Sequence, residues 1–348
     1  MDLEKLYHKV KETVDSLDFE RIWPEFRPLK FARYDSETCF FDGRFVEKTD
    51  AFCANTSICY QGEQIAIWMV AEETELPVLT SKIVHEMFHG FQAVQGWNCW
   101  PNELDALYRY EYGAENLCLK LRENELLLKL LRRFDETDFQ ELLSLRKLRS
   151  IRNPFEFSYE SMVEEIEGAA NYVEWQVLKQ LDRESASMLE RRMHQVLAKT
   201  DNLFPVRISC YETGALMIHA LLLAGRYPFE SRERPVITSV LKDTEPSGGD
   251  FPGKEELFEK AAASVGTFQE ESEMIVRSAV EMNEVIRKGP LELVSANIYD
   301  ARYWKGYLIS TYFLMYRDGK ADRLIEGDFV IRMKDAKTIE TVYRWKRN

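Results

Sequence analysis

The sequence contains little histidine, no paired cysteine motif and no long apolar run. Its six cysteines include no Cys-x-x-Cys pair, and the N-terminal residues lack the apolar centre of a signal peptide. We therefore expect free thiols and a cytoplasmic protein. The longest apolar stretch, residues 214–225, is interrupted by His219 and is too short to cross a bilayer, which argues against a membrane protein.

Positive charge is also in deficit. The net charge of −13 argues against a nucleic-acid partner, which would require a basic surface. A local basic cluster, residues 146–152, is interpreted as a solvated helix face. The hydrophobic fraction of 45% and charged fraction of 30% are typical of a folded protein, and 348 residues suffice for one large domain with insertions or for two domains.

Two of only five histidines lie four residues apart in His85-Glu86-Met87-Phe88-His89. This segment fits the H-E-x-x-H pattern. On a helix, residues i and i+4 lie one turn apart on the same face, so both imidazoles can reach one zinc ion. Glu86, turned by about 100° from His85, would then stand beside the metal as the general base.

The surrounding residues favour a helix over about residues 80–95. Pro77 precedes the segment, Thr80 is the expected N-terminal cap, and Gly96 is the expected C-terminal stop. Apolar side chains occupy one broad arc of this helix, and the two histidines occupy the remaining sector. We therefore expect the histidines to face a cleft and the apolar side chains to face the core.

A zinc ion held by two histidines needs a third protein ligand if the fourth position is to remain open for chemistry. The candidate is Glu167, which precedes three small residues that would let its helix approach another closely. Asn171, one turn later, could accept a hydrogen bond from the free N–H group of a ligand histidine. Glu160 and Glu164 lie on the same helical side and remain alternative ligands.

His85-Glu-Met-Phe-His-Gly-Phe-Gln92 followed by Glu167-Gly-Ala-Ala-Asn-Tyr172 resembles the gluzincins, in the group called peptidase-MA-like. These proteins join H-E-x-x-H on one helix to an E-G-x-A-x-Y type segment on a later helix. The resemblance implies His85, His89 and Glu167 as zinc ligands and Glu86 as the base. It covers about residues 55–225, although a segment of 77 residues separates His89 from Glu167.

A Tyr-x-x-Gly helix after the third ligand recurs in the gluzincins, and here Tyr211 and Gly214 fit it. The resemblance implies that Tyr211 stabilises the oxyanion. His219, eight residues later, shares about the same helical phase as Tyr211 and is the alternative donor. It lies among apolar residues, where a histidine that belongs to the core is the other interpretation.

The remaining pattern predicts an α+β fold with a mostly helical, zincin-like core. A small N-terminal antiparallel sheet precedes the motif, and its strand 56–60 forms a hairpin with 64–70 that either pairs with a substrate backbone or only packs on the helix. The other expected segments are a helical insertion at 103–152, two helices within 250–289 and a β-meander at 303–345. We expect a catalytic domain over residues 1–270 and a C-terminal helix plus β-meander over 271–348.

The sequence thus predicts a zinc metallopeptidase that cleaves a peptide or small protein substrate. Three alternatives remain open: a zinc hydrolase of a non-peptide amide or ester, an inactive zincin scaffold that binds a partner, and a helical interaction protein without metal. Neither the length of the substrate nor the oligomeric state follows from the sequence.

Overall fold

The computed structural model describes residues 2–70, 74–230 and 234–346, and its fold is the expected α+β class. The described residues begin with two helices and five strands. The five strands form one sheet of order β3-β2-β1-β5-β4, and the first helix packs on it. These elements are α1 (Leu3–Asp15), α2 (Phe19–Ile22), β1 (Lys30–Tyr34), β2 (Cys39–Phe41), β3 (Arg44–Val46), β4 (Thr56–Tyr60) and β5 (Glu63–Met69).

The first sheet is mixed, with one parallel pairing. The expected antiparallel pairing holds for β1–β2, β2–β3 and β4–β5, whereas β1 and β5 run parallel. A parallel pair needs a long connection, and here β2, β3 and β4 supply it. The predicted hairpin is confirmed, because Gln61 and Gly62, with φ of 52° and 86°, form a two-residue turn between β4 and β5. β4 is left at the edge of the sheet.

Helix α3 (Leu76–Val94) carries the histidine motif and packs against this sheet. It begins four residues before Thr80, so the predicted cap was wrong: Thr80 is buried inside the helix, and Pro77 occupies its first turn. Gly96, with φ of +70°, lies just beyond the end, as predicted. At Gly90, a Cβ atom would meet the side chains of Leu29 and Ser57 at 2.5 and 2.8 Å, so the missing side chain lets these residues pack closely on α3.

Among the described residues, eight α-helices, one π-helical turn and two short 3-10 helices follow α3 before the last long helix. Within the predicted helical insertion 103–152, residues 110–113 separate the first two of these helices, and residues 154–181 form one continuous helical rod. The elements are α4 (Glu103–Arg109), α5 (Ala114–Arg132), α6 (Glu136–Arg152), α7 (Pro154–Val163), the π turn (Glu164–Gly168), α8 (Ala169–Leu181), α9 (Arg183–Ala198), α10 (Arg207–Leu223) and α11 (Val236–Val240).

The basic cluster on α6 was wrongly interpreted as a solvated face. Arg146 and Arg149 are almost completely buried, and they form ion pairs with Glu123, Glu160 and Glu164. Lys120, also buried, binds Glu160 as well. Burial of these cations is possible because each faces at least one carboxylate. We call these six residues the closed network.

The small residues after Glu167 allow a close helix crossing, as predicted. A side chain at Gly168 would lie 2.5 Å from Cα of Gly214, and one at Gly214 would lie 2.5 Å from the carbonyl oxygen of Glu164. The backbones of the π turn and α10 are therefore in direct contact, which no larger residue at either position would permit.

The C-terminal part differs from the prediction in one helix and one strand. Where two helices were predicted, one long helix, α12 (Lys254–Met282), ends at Asn283 and is followed by β6 (Val285–Ala296). The Gly289-Pro290 pair in β6 is unsuited to a helix interior. The other strands are β7 (Arg302–Trp304), β8 (Tyr307–Ser310), β9 (Phe313–Asp318), β10 (Ala321–Glu326), β11 (Asp328–Met333) and β12 (Thr338–Trp345).

These seven strands form an antiparallel sheet of order β10-β9-β6-β12-β11-β8-β7, so β6 pairs with strands distant in sequence and the sheet is more than a simple meander. Helix α12 packs against both α5 and β12. The proposed domain boundary at residue 270 falls inside this helix, and the division into two domains stays a prediction. In the described parts of the chain, no helix is both long and apolar enough to span a membrane.

Candidate metal centre

Helix α3 places His85 and His89 on one face, one turn apart. Their Nε2 atoms lie 3.2 Å apart, and the ring centroids are separated by 4.9 Å. Both side chains are largely shielded from solvent. The i, i+4 spacing therefore brings two imidazole nitrogens to one point, as the sequence predicts.

Glu167 reaches the same point from the π turn. Its Oε2 atom lies 3.3 Å from Nε2 of His89 and 3.9 Å from Nε2 of His85. Among the described residues, these three side chains form a group whose ligand atoms all lie within 4.8 Å of one another. Both alternative ligands lie in the closed network: Glu160 binds Arg149, and Glu164 binds Arg146.

The outer nitrogen of each histidine faces an acceptor oxygen. Nδ1 of His89 lies 2.8 Å from Oε1 of Gln92, whose amide nitrogen donates to the carbonyl oxygen of Ile166 at 2.9 Å. Because that amide nitrogen is engaged, the amide oxygen faces His89, and Nδ1 of His89 must be the donor. Nδ1 of His85 faces Oε2 of Glu174 at 3.3 Å. The inner Nε2 of His89 therefore carries its lone pair, and Nε2 of His85 faces it.

Glu174 takes the supporting role that the sequence assigned to Asn171. Lys82 holds the Glu174 carboxylate at 2.8 Å, so the oxygen facing His85 belongs to an anchored group. The Asn171 amide instead donates to Glu212 at 2.7 Å and to the carbonyl oxygen of Tyr211 at 3.1 Å. The prediction for Asn171 was wrong because the closer carboxylate of Glu174 occupies the position behind His85.

These separations fit a tetrahedral zinc site. Two nitrogen lone pairs that face each other at 3.2 Å repel unless a cation or a proton lies between them. Zinc–nitrogen distances of about 2.0–2.1 Å in tetrahedral geometry place two ligand atoms roughly 3.4 Å apart. The spacings at His85, His89 and Glu167 are 3.2, 3.3 and 3.9 Å. The donor set of two imidazoles and one carboxylate is also one that zinc accepts.

The electrostatics of the cluster likewise favour positive charge. Burial lowers the pKa of His85, but its contacts with Glu167 and Glu174 outweigh burial and raise the pKa to about 10. Burial raises the pKa of Glu167, yet hydrogen bonds with the two histidines and the nearby Arg207 hold it well below its usual range. Burial also opposes ionisation of Glu174, while Lys82 and His85 lower its pKa to about 2. The carboxylates thus remain ionised around the histidines.

Arg207, which the sequence analysis did not identify, anchors the other side of Glu167. Its Nη2 atom donates to Oε1 of Glu167 at 2.5 Å and to the hydroxyl of Tyr211 at 3.1 Å. Its Nη1 atom binds Glu103, which also accepts a hydrogen bond from Tyr159 at 2.7 Å. Arg207 lies four residues before Tyr211 on α10, which places the two side chains on the same face of the helix. This spacing is the sequence feature from which its position beside Tyr211 could have been predicted.

Glu86 lines the cleft beside the histidines and forms no hydrogen bond or ion pair with any residue in the described ranges. Burial raises the pKa of its carboxyl group, whereas the nearby histidines lower it. Its carboxylate is thus free to accept a proton from a bound molecule, as the general-base prediction requires.

Tyr211 also reaches the cleft, and His219 does not. The Tyr211 hydroxyl lies 3.2 Å from the hydroxyl of Tyr299, which belongs to the loop between β6 and β7. Burial, followed by the charge of Glu167, raises the pKa of Tyr211, so its hydroxyl stays protonated and can donate. His219 packs edge-on against Trp175 at 5.1 Å, and burial lowers its pKa to about 4. It is a partly buried histidine of the core.

A cleft of about 640 Å³ joins these residues to the edge of the first sheet. Its floor is the histidine face of α3, and β4 forms one wall. The residues lining it include Asn55, Thr56, Ser57, Cys59, Trp68, Lys82, Ala93, Trp100, Arg192, Glu212 and Tyr299, together with the candidate site residues His85, Glu86, His89, Glu167 and Tyr211.

The cysteines play no part in the metal group. All six are free thiols, as predicted, and Cys99 is buried near the end of α3.

Comparison of the chain with protein-family models, with curated proteins and with solved structures gives no match. The resemblance to the gluzincins therefore rests on the two motifs and their order along the chain. The case for a function rests on the chemistry of the site itself.

Proposed function

We propose that this protein is a zinc metallopeptidase of gluzincin type, with His85, His89 and Glu167 as the metal ligands. The observation that carries the proposal is the convergence of three ligand atoms, two of them on side chains whose opposite polar atom is held by another residue. Gln92 holds His89, and Arg207 holds Glu167. Such anchoring fixes ligand orientation before the metal binds.

When bound, zinc would polarise a substrate carbonyl group and make a water molecule acidic enough to react near neutral pH. Glu86 would take a proton from that water and later deliver it to the leaving amine. No described residue donates a hydrogen bond to Glu86, and this supports the role, because a carboxylate already bound to an arginine would be a much weaker base.

Tyr211 would donate a hydrogen bond to the negative charge that develops on the former carbonyl oxygen. Two features support this assignment. The raised pKa of the hydroxyl keeps its proton in place, and the contacts with Arg207 and Tyr299 fix its direction towards the cleft. Tyr211 would therefore act without rearrangement in the reaction.

The edge strand β4 supports a peptide substrate over other amides and esters. Tyr60 and Glu63 close the two-residue turn, so they form a hydrogen-bonded pair of the hairpin. Alternation along an antiparallel pair then directs the backbone N–H and C=O groups of Ser57 and Cys59 away from β5. Both residues line the cleft, where an extended peptide could add to the sheet edge as a further strand.

The decisive experiment combines metal analysis with a peptide digest. Purified protein should contain about one zinc per chain and should cleave a mixture of synthetic peptides, as followed by mass spectrometry. Glu86→Gln, which is nearly isosteric but cannot accept the proton, should keep the zinc and lose most of the cleavage. Normal cleavage by Glu86→Gln would remove Glu86 from the mechanism, and a zinc-loaded wild type that cleaves no peptide would contradict the proposed activity.

A further inference from the structure

A second groove opens beside the metal cleft, on the side of the C-terminal sheet. Its volume is about 690 Å³, and it shares Trp100 and Tyr299 with the first cleft. Residues 101–104, residues 294–298 and Phe313 also line it. Because two residues line both spaces, the groove adjoins the cleft.

The junction between the two spaces lies at the candidate metal centre. The indole ring of Trp100 is 6.2 Å from the ring of His89, and its Nε1 donates to the carbonyl oxygen of Trp97 at 2.8 Å. On the opposite side, Tyr299 contacts the hydroxyl of Tyr211. The two aromatic side chains are 47% and 54% exposed, so both present substantial ring surface to a bound molecule.

The loop that carries Tyr299 is held by its own hydrogen bonds. Oδ1 of Asn297 accepts from the backbone N–H of Tyr299 at 3.3 Å, and the amide nitrogen of Asn297 donates to Thr311 at 3.1 Å. The Thr311 hydroxyl in turn donates to Asp300 at 2.9 Å. Tyr299 is thus presented by a hydrogen-bonded turn of the C-terminal sheet.

The two spaces differ in chemical character. The first cleft contains charged residues on several sides, including Lys82 and Arg192. In the second groove Glu103 is the charged residue among the described lining residues, and Arg207 and Tyr159 already bind it. The rest of the lining is apolar, amide or hydroxyl. A charged side chain would lose its hydration there without gaining a partner.

From these observations we propose that the substrate is a polypeptide long enough to cross both spaces, with uncharged, mainly apolar residues in the second groove. Trp100 and Tyr299 would hold the chain where it passes from one space to the other. The occupant follows from continuity, because a peptide that lies over the histidines can extend past Trp100 and Tyr299, which line both spaces, into the second groove. This inference rests on the proposed function and names its substrate class.

Peptide length and charge provide the test. Labelled peptides of about 4 and about 12 residues, at about 3.3 Å per extended residue, separate molecules that fill one space from those that fill both. Binding is measured with Glu86→Gln to prevent turnover. We expect the long apolar peptide to bind at least about tenfold more tightly than the short one. A long peptide with aspartate in its outer half should lose that advantage.

Two substitutions test whether the peptide occupies the groove, one at its junction with the cleft and one inside it. Trp100→Ala and Phe313→Ala should each weaken binding of the long apolar peptide several-fold and reduce its advantage over the short one. Tyr227→Ala, which removes a tyrosine that is 62% exposed and lines neither space, is the matched control and should bind like its parent. Circular dichroism checks that each variant is folded, and either groove variant alone suffices for the comparison.

Equal binding of short and long peptides, no binding of either, or unchanged binding in both groove variants would overturn the proposal. The two proposals fail separately. If the wild type cleaves peptides while binding is independent of length, the groove is rejected and the enzyme remains. If length-dependent binding is observed but zinc-loaded wild type cleaves nothing, the peptidase is rejected and the groove remains.

Discussion

Two groups of buried carboxylates lie on the same helical rod, and they are used in opposite ways. In the closed network, both oxygens of Glu160 and of Glu164 meet fixed donors: Glu160 binds Lys120 and Arg149, and Glu164 binds Arg146. Around the histidines, the carboxylate of Glu167 has one oxygen bound by Arg207 and the other directed at the Nε2 atoms of His85 and His89. Glu160 and Glu164 thus have both oxygens engaged, whereas Glu167 keeps one oxygen available to a cation.

The comparison teaches that a buried carboxylate is not a functional signal by itself. A carboxylate whose oxygens both meet donors contributes to a fold and has little left to offer a ligand. A functional site is indicated instead by several ligand atoms that face one point and belong to side chains that other residues hold in position.

Removing a charge from the closed network should cost the most stability. Glu160→Gln leaves Arg149 and Lys120 without their shared partner, so we expect the free energy of unfolding to fall by about 3–5 kcal/mol at pH 7. Burial opposes ionisation of Glu160, but the two cations lower its pKa to about 2. Its stabilising contribution is therefore present above the ordinary pKa of about 4.5 and is lost as the pH falls towards 2.

Urea unfolding of wild type and Glu160→Gln across that pH range provides the measurement. The difference between the two proteins should narrow as the pH falls from about 4.5 to about 2. Glu256→Gln, which removes an exposed partner of Lys260 on α12, is the control and should behave like wild type. A difference that does not change with pH would show that the carboxylate charge is not what stabilises the network.

Zinc should stabilise the protein only through the second group. At a free zinc concentration about 1,000 times the Kd, binding contributes about 4 kcal/mol to the free energy of unfolding. A chelator should therefore lower the Tm of wild type, and His85→Ala,His89→Ala should show no response to zinc or chelator. The experiment is a thermal melt with measured zinc content. Stoichiometric zinc in the double variant would place the metal elsewhere.

Tyr211→Phe should affect the reaction but not the metal. Removing one well-directed donor to the developing oxyanion is expected to lower kcat about 10²-fold, with zinc content unchanged. Steady-state kinetics on a cleaved peptide and metal analysis of the same samples provide the test. If Tyr211→Phe turns over normally, its hydroxyl has no part in the chemistry, and its contacts with Arg207 and Tyr299 are only structural.

Glu174→Gln should produce the smallest of these effects. Loss of a charged partner behind a ligand histidine typically lowers metal affinity about 10–100-fold. Glu190→Gln is the matched control. Glu190 accepts a hydrogen bond from Trp175, which is next to Glu174 on α8, and does not contact His85. Competition with a chromogenic zinc chelator measures both affinities. Equal affinities would show that Glu174 does not orient His85.

Local patterns in the sequence predict one half of the site well. The spacing of His85 and His89 fixes their geometry within a single helix, and Gly168 indicates a close helix crossing. These features depend on contacts within one or two turns, or on the absence of a side chain. They can therefore be predicted without knowing how distant parts of the chain meet.

The other half depends on contacts between residues far apart in the chain. Lys82 and Glu174 are 92 residues apart, and Arg207 is 40 residues from Glu167. The stripe of carboxylates was also expected on one side of a regular helix. The π turn contains one more residue than an α-helical turn. Glu160 and Glu164 are therefore out of phase with Glu167, and the two groups of carboxylates lie on different sides of the helical rod. Nothing in the local sequence pattern predicts such a turn.

The same difficulty explains β6. Residues 285–289, the start of β6, were assigned to a helix, whereas β6 pairs with β12 and β9, which follow it in the chain. Strand formation there is decided by those partners and not by local preference. The loop after β6 carries Tyr299, which lines the cleft, and this residue was therefore not predicted from the sequence.

The contact between Gly168 and Gly214 has a consequence for how accurately the site is built. Most distances around Glu167 pass through side chains, which can change rotamer and absorb small errors in helix position. At this crossing, main chain meets main chain at both positions, so nothing between them can yield. The spacing between Glu167 on one helix and Arg207 and Tyr211 on the other is thereby set by direct contact of the two backbones. Substitutions at neighbouring side chains do not alter this contact.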